Sequence, residues 1–166
     1  MRIVSLFFLA GLAFAPLTPS LTAQSDSARS DSAFRALQSR GAVQMGVDQY
    51  TSTHHFETLP DGGRIELQRD SVDSADIGQI RRHLQEITAA FERGDFRIPG
   101  LVHDQAVPGT AVMAARHNRI RYQFRELPRG GEVRIISSDP EAIAAIHDFL
   151  AFQRQDHRTD HAGHRM

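Results

Sequence analysis

Residues 56–67 read Phe56-Glu57-Thr58-Leu59-Pro60-Asp61-Gly62-Gly63-Arg64-Ile65-Glu66-Leu67. The pattern returns 68 residues later as Phe124-Arg125-Glu126-Leu127-Pro128-Arg129-Gly130-Gly131-Glu132-Val133-Arg134-Ile135. Phe, Leu, Pro and both Gly recur unchanged, and two further positions exchange one aliphatic residue for another. Each copy reads as a strand, a Pro-x-Gly-Gly turn and a second strand alternating polar and apolar residues. That is the pattern of a β-hairpin with one buried face.

A helix follows each hairpin. The first is expected to open near Asp73 and to end at Gly94, with Ile77, Ile80, Leu84, Ile87 and Phe91 spaced along one side. The second opens on Asp139-Pro140-Glu141, a capping Asp followed by Pro at the first helical position and an acid in the first turn, and carries Ile143, Ile146, Phe149 and Leu150. The expected fold is therefore α+β: a duplicated ββα unit giving a four-stranded, mainly antiparallel sheet with two helices on one face. Arg64, Glu66, Arg134 and Glu132 fall on the opposite face, open either to solvent or to a second copy.

Around this body the chain divides by composition. Residues 1–23 begin with Arg2, continue through the apolar run from Ile3 to Ala15, and offer small residues before Gln24, the make-up of a cleaved signal peptide. The run is too short, and too interrupted by Pro16 and Pro19, for a membrane span. Residues 24–52 open on a Ser/Asp-rich leader and are expected to be disordered or loosely ordered, with a short helix over Ala33–Arg40 and an extended arm over Ala42–Tyr50. The duplicated domain fills 53–157, as repeat one (54–95), an unrepeated insert (96–119) and repeat two (120–157). Residues 158–166 form a His-containing tail. The insert holds Pro99-Gly100, Pro108-Gly109, His103, Met113 and His117, and as the part the halves do not share it is the first place to look for function.

Composition removes whole classes of chemistry. The 166 residues carry 19 basic and 20 acidic side chains for a net charge of −1, so no field favours nucleic acid or a membrane surface. Every base is Arg and there is no Cys, which excludes Schiff-base lysines, phosphate-loop lysines, thiolate catalysis and lipoprotein attachment. Hydrolase elbows, dinucleotide fingerprints and zinc-protease motifs are also missing from the sequence. Nine His and four Met remain. Imidazole with thioether and no thiolate suits copper first, with zinc, iron or noncovalent haem as alternatives.

The candidate metal ligands are His55, His83, His103, Met113 and His147. At about 100° per residue, His83 and His147 border the apolar stripes of their helices on opposite edges, so a symmetric pair is not expected. His54 and His55 alternate in a strand, so only one can face a given site. His157, His161 and His164 read as a terminus that binds metal weakly.

The segments His54-His55-Phe56, Ile80-Arg81-Arg82-His83-Leu84, Phe91–Phe96 and Ile146-His147-Asp148-Phe149-Leu150 resemble those of a group of small exported bacterial proteins. The resemblance implies an exported address and a duplicated ββα unit, and it implies no activity. The leading expectation is a periplasmic or secreted domain that binds a transition metal without catalysis. A module that pairs with itself or another exported protein is the alternative, and a metal-dependent enzyme the second alternative.

Overall fold

The computed structural model describes residues 21–46, 49–72 and 74–159. Most of the expected signal peptide lies outside these residues, as do Asp73, His161 and His164.

The order of elements is α1 (Leu21–Met45), β1 (Ser52–Leu59), β2 (Gly62–Arg69), α2 (Ser74–Glu92), α3 (Arg97–His103), α4 (Thr110–Ala115), β3 (Ile120–Leu127), β4 (Gly130–Ser137) and α5 (Pro140–Asp156), with 3-10 turns at Gln49–Thr51 and His117–Arg119. The class is α+β, with one antiparallel sheet ordered β1-β2-β4-β3. Both hairpins close through two residues, Pro60-Asp61 and Pro128-Arg129, where Pro presets the φ the turn requires. Their pairing registers coincide once one is shifted by 68 residues, Phe56 opposing Ile65 as Phe124 opposes Val133. Where β2 meets β4, Ile65 opposes Val133, the two positions the sequence repeat aligns.

Alternation along the strands puts Phe56, Ile65, Leu67, Tyr122, Val133 and Ile135 on the face that receives α2 and α5, and all six are buried. The helix order brings a crossing that sequence spacing does not show. α2, which follows the first hairpin, packs mainly on β3 and β4, whereas α5 packs mainly on β1 and β2. Glycine makes the crossing close. A Cβ on Gly63 would run into a Leu150 methyl and stand 2.7 Å from the Glu57 carbonyl oxygen; one on Gly131 would stand 2.7 Å from the Phe124 ring and 3.0 Å from Leu84. Leu84 of α2 and Leu150 of α5 thus seat reciprocally on each other's hairpins, both essentially inaccessible to solvent.

α5 starts as expected, with the Asp139 carboxylate accepting from the Glu141 amide at 3.0 Å and held by Arg116 at 2.5 Å. On the opposite sheet face, charges neutralise one another within the chain. Arg64 pairs with Glu57 at 2.7 Å and approaches Glu132 at 3.5 Å, and Arg125 pairs with Glu132 at 3.0 Å.

One expectation is corrected. The leader is a 25-residue helix, not a disordered segment with an extended arm. Its own sequence is weakly amphipathic, and it is held from outside: Leu37 is buried, Arg40 Nε donates to the Val102 carbonyl at 2.7 Å, and the Arg158 guanidinium stacks on Phe34 while donating to Asp31 and Ser30. The insert is likewise helical over α3 and α4. Elements this short are marginal alone and depend on tertiary packing.

The helix-to-hairpin seat gives a stability prediction. Gly63→Ala should cost about 2–3 kcal/mol in urea unfolding, because neither the Glu57 carbonyl nor Leu150 has room to retreat. Gly100→Ala, with nothing nearer than 3.8 Å in the middle of α3, should be neutral or add about 0.5 kcal/mol. Equal losses at both positions would contradict the close-seat account.

Candidate functional site

Between α2 and α5, above β1 and β2, the core does not close completely. A cavity with about 70 Å³ of room remains, enough for several water-sized groups. α3 roofs it through Ile98, Pro99, Val102 and His103, and α1 reaches its rim at Gly41. Most of the wall is apolar, with Phe56, Leu67, Leu84, Ile87, Phe91 and Phe149. The polar part of the lining is four histidines and one amide: His54, His83, His103, His157 and Gln153.

Each imidazole arrives by a different route. His54 has the strand parity of buried Phe56, so it faces the helices, while His55 points to solvent. Its ring stacks on His157 at 5.1 Å between centroids and on Phe56 at 5.8 Å. His83 sits among the buried residues of α2, 7% exposed, and its Nδ1 has no hydrogen-bond partner. His103, the last residue of α3, is fully engaged. Its Nδ1 donates to the Asp156 carboxylate at 2.5 Å and its Nε2 lies 2.9 Å from the side-chain amide oxygen of Gln153. His157 caps α5, meets His103 edge-to-face at 5.2 Å, and buries an Nδ1 that has no partner.

Burial keeps this group uncharged. It pulls His83 down from the ordinary imidazole value to about 4. His54 also falls to about 4, through burial first and then the nearby His83 and His55. His157 is pulled well below its ordinary value by burial, then by His54 and His103, with Asp156 acting in the opposite direction. At neutral pH these three are neutral imidazoles, each with one nitrogen lone pair.

Of the ligands expected from sequence, His83 and His103 reach the cavity and His55, Met113 and His147 do not. His55 lies on the outer sheet face. Met113 is fully buried in the main core, directed there by α4, whose preceding residue Gly109 lies against the α5 backbone at Ala145. His147 Nε2 donates to the Leu59 carbonyl at 2.9 Å, tying α5 to the end of β1. His117 is exposed and bonds to the Ala114 carbonyl. The sequence reading missed His54 and His157. The parity of Phe56 was a usable signal for His54; for His157 no local signal existed, since it follows the last helical residue and is ordered by contacts with distant elements.

Among the described residues, no group of three or more His, Cys, Asp or Glu side chains is arranged to close around a metal ion. No described helix is long and apolar enough to cross a membrane. No family model, curated protein or solved structure matches the chain.

The neutral histidines carry a pH dependence. A buried His with folded pKa near 4 and an unfolded value near 6.5 stabilises the fold fully above pH 6.5 and progressively less as pH falls toward 4. For His83 alone the loss between pH 7 and 5 is about 2 kcal/mol. His83→Leu in chelator-treated protein should flatten the fall of the urea midpoint over that range. An unchanged slope would show that His83 is not held neutral.

Proposed function

We propose that this chain is an exported, non-catalytic domain that binds a transition metal ion, copper foremost, in the cavity beneath α3. The ligands are drawn from His54, His83 and His157. One observation carries this reading: two imidazole nitrogens, His83 Nδ1 and His157 Nδ1, are buried without hydrogen-bond partners at one cavity. A buried polar atom left unpaired costs about 1–3 kcal/mol, and a metal ion is a partner for lone pairs that apolar neighbours cannot replace. The donor set is imidazole without thiolate, which suits copper and, second, zinc.

His103 has another role in this reading. Both its nitrogens are occupied, so it positions the site: its ring packs against His157 and fixes the end of α5 through Asp156 and Gln153. Such an outer partner orients ligands without donating to the ion.

Metal titration of the untagged protein carrying His161→Ala and His164→Ala tests the reading, since those substitutions remove the tail from competition. Affinity should fall at least about tenfold in each of His54→Ala, His83→Ala and His157→Ala. His55→Ala and His147→Ala should leave it unchanged. Equal affinity in all five variants, or no binding in the parent, would overturn it.

A further inference from the structure

We infer that the outer edge of β3 is a docking site for an extended, acidic peptide segment of another protein, which joins the sheet as a fifth strand beside Arg121 to Glu126. The inference is independent of the cavity and of any metal.

The sheet has two outer strands, β1 and β3, and the helices treat them differently. The two-residue turns make Leu59 with Gly62, and Leu127 with Gly130, hydrogen-bonded pairs. By alternation, the backbone groups of Phe56 on β1, and of Tyr122, Phe124 and Glu126 on β3, turn away from the sheet. On β1 that edge is closed by α5, where Arg154 Nη1 donates to the Phe56 carbonyl at 2.9 Å. Thr88 stands four residues after Leu84 as Arg154 stands four after Leu150, but its hydroxyl donates to the Leu84 carbonyl at 2.7 Å within α2. Among the described residues, nothing bonds to the outward backbone of Tyr122, Phe124 or Glu126. Unmet donors and acceptors along a strand edge are a template for another strand.

Charge selects the partner. Arg119, Arg121, Arg125 and Arg129 are all exposed along this strand and its ends. Arg125 pairs with Glu132 at 3.0 Å and Arg119 stands 3.9 Å from Asp139, while the Arg121 and Arg129 side chains have no ionic partner among the described residues. Glu126, the acid of the strand, is held by Arg81 of α2 at 2.9 Å. A chain of net charge −1 thus carries a basic strip along one sheet edge, and an acidic strand complements it. The same charges oppose a second copy. In an antiparallel pairing of two β3 strands centred on Gln123, the Arg121 of each copy would stand opposite the Arg125 of the other. Side chains alternate across the edge, so the incoming strand places its acids beside Arg121 and Arg125 and its apolar residues beside half-buried Phe124.

The test titrates the full chain with a fluorescently tagged peptide of alternating Glu and Val, and with an alternating Lys and Val peptide as control. At low ionic strength the Glu-Val peptide should bind at least about tenfold more tightly than the control, and added salt should weaken it. Arg121→Glu combined with Arg129→Glu should lower that affinity at least about tenfold. Both side chains are exposed and unpaired, so the fold is retained. Hydrogen exchange reads the backbone pairing without any variant: the peptide should slow the Tyr122 and Phe124 amides at least about tenfold and leave Phe56 unchanged. No binding, equal affinity for the two peptides, or binding that leaves those amides unprotected would overturn the inference. A dimer by light scattering, with the same amides already protected in the free protein, would also overturn it and assign the edge to a second copy.

Discussion

The antiparallel pairing of β2 with β4 is the contact on which the rest depends. It is the only strand pairing that joins the two hairpins within the described sheet, and it sets Ile65 directly against Val133. A slip of one residue would turn every inward side chain of one hairpin to the polar face. The correct register instead aligns Ile65, Leu67, Val133 and Ile135 as one apolar floor and brings Gly63 and Gly131 under Leu150 and Leu84. Because each helix crosses to the opposite hairpin, neither hairpin-plus-helix segment buries its own apolar surface alone. Formation of the central pairing and seating of the helices are therefore coupled, as expected of a small domain that has no disulfide to hold partial structure.

Much of this was legible because the determinants are local. Pro60 and Pro128 fix the turns, alternation fixes the strand faces, and Asp139-Pro140-Glu141 fixes the start of α5. The crossing of the helices was not legible, since equal spacing of apolar residues serves either hairpin. Nor was α1. Its Ser- and Asp-rich sequence has low helix propensity, and the anchors that hold it, Val102 and Arg158, lie 62 and 127 residues away from their partners. Nor were the helices of the insert. Pro and Gly side by side favour a turn, but Pro is tolerated in the first turn of a helix, and Arg97–His103 is helical over the cavity.

The histidines show where local reasoning stops. Strand parity separates His54 from His55, yet nothing near His54 reveals that His157 will stack on it from more than a hundred residues away. His83 could be placed at the edge of an apolar stripe, and it is buried because α3 and α1 widen the covered surface beyond what α2 and the sheet would cover. Met113 and His103 lie ten residues apart in the insert, yet α4 carries Met113 into the main core while His103 lines the cavity. Proximity in sequence is a weak guide wherever two short helices can point their residues to different sides.

The repeated body and the unrepeated segments divide the labour. The two hairpins with α2 and α5 supply most of the buried core, Leu84 and Phe149 among it. The cavity lies over β1 and β2, and it is roofed by segments outside the two hairpin-and-helix units: α3 and, at its rim, α1. Keeping His54, His83 and His157 beneath that roof has a cost, because desolvation disfavours their charged forms and two nitrogens lack partners. A purely structural core would fill the same space with Leu or Phe at no such cost. The added segments preserve a polar defect inside an apolar wall, and it is this retained cost, located where the two halves differ, that makes the cavity the place to look for what the protein does.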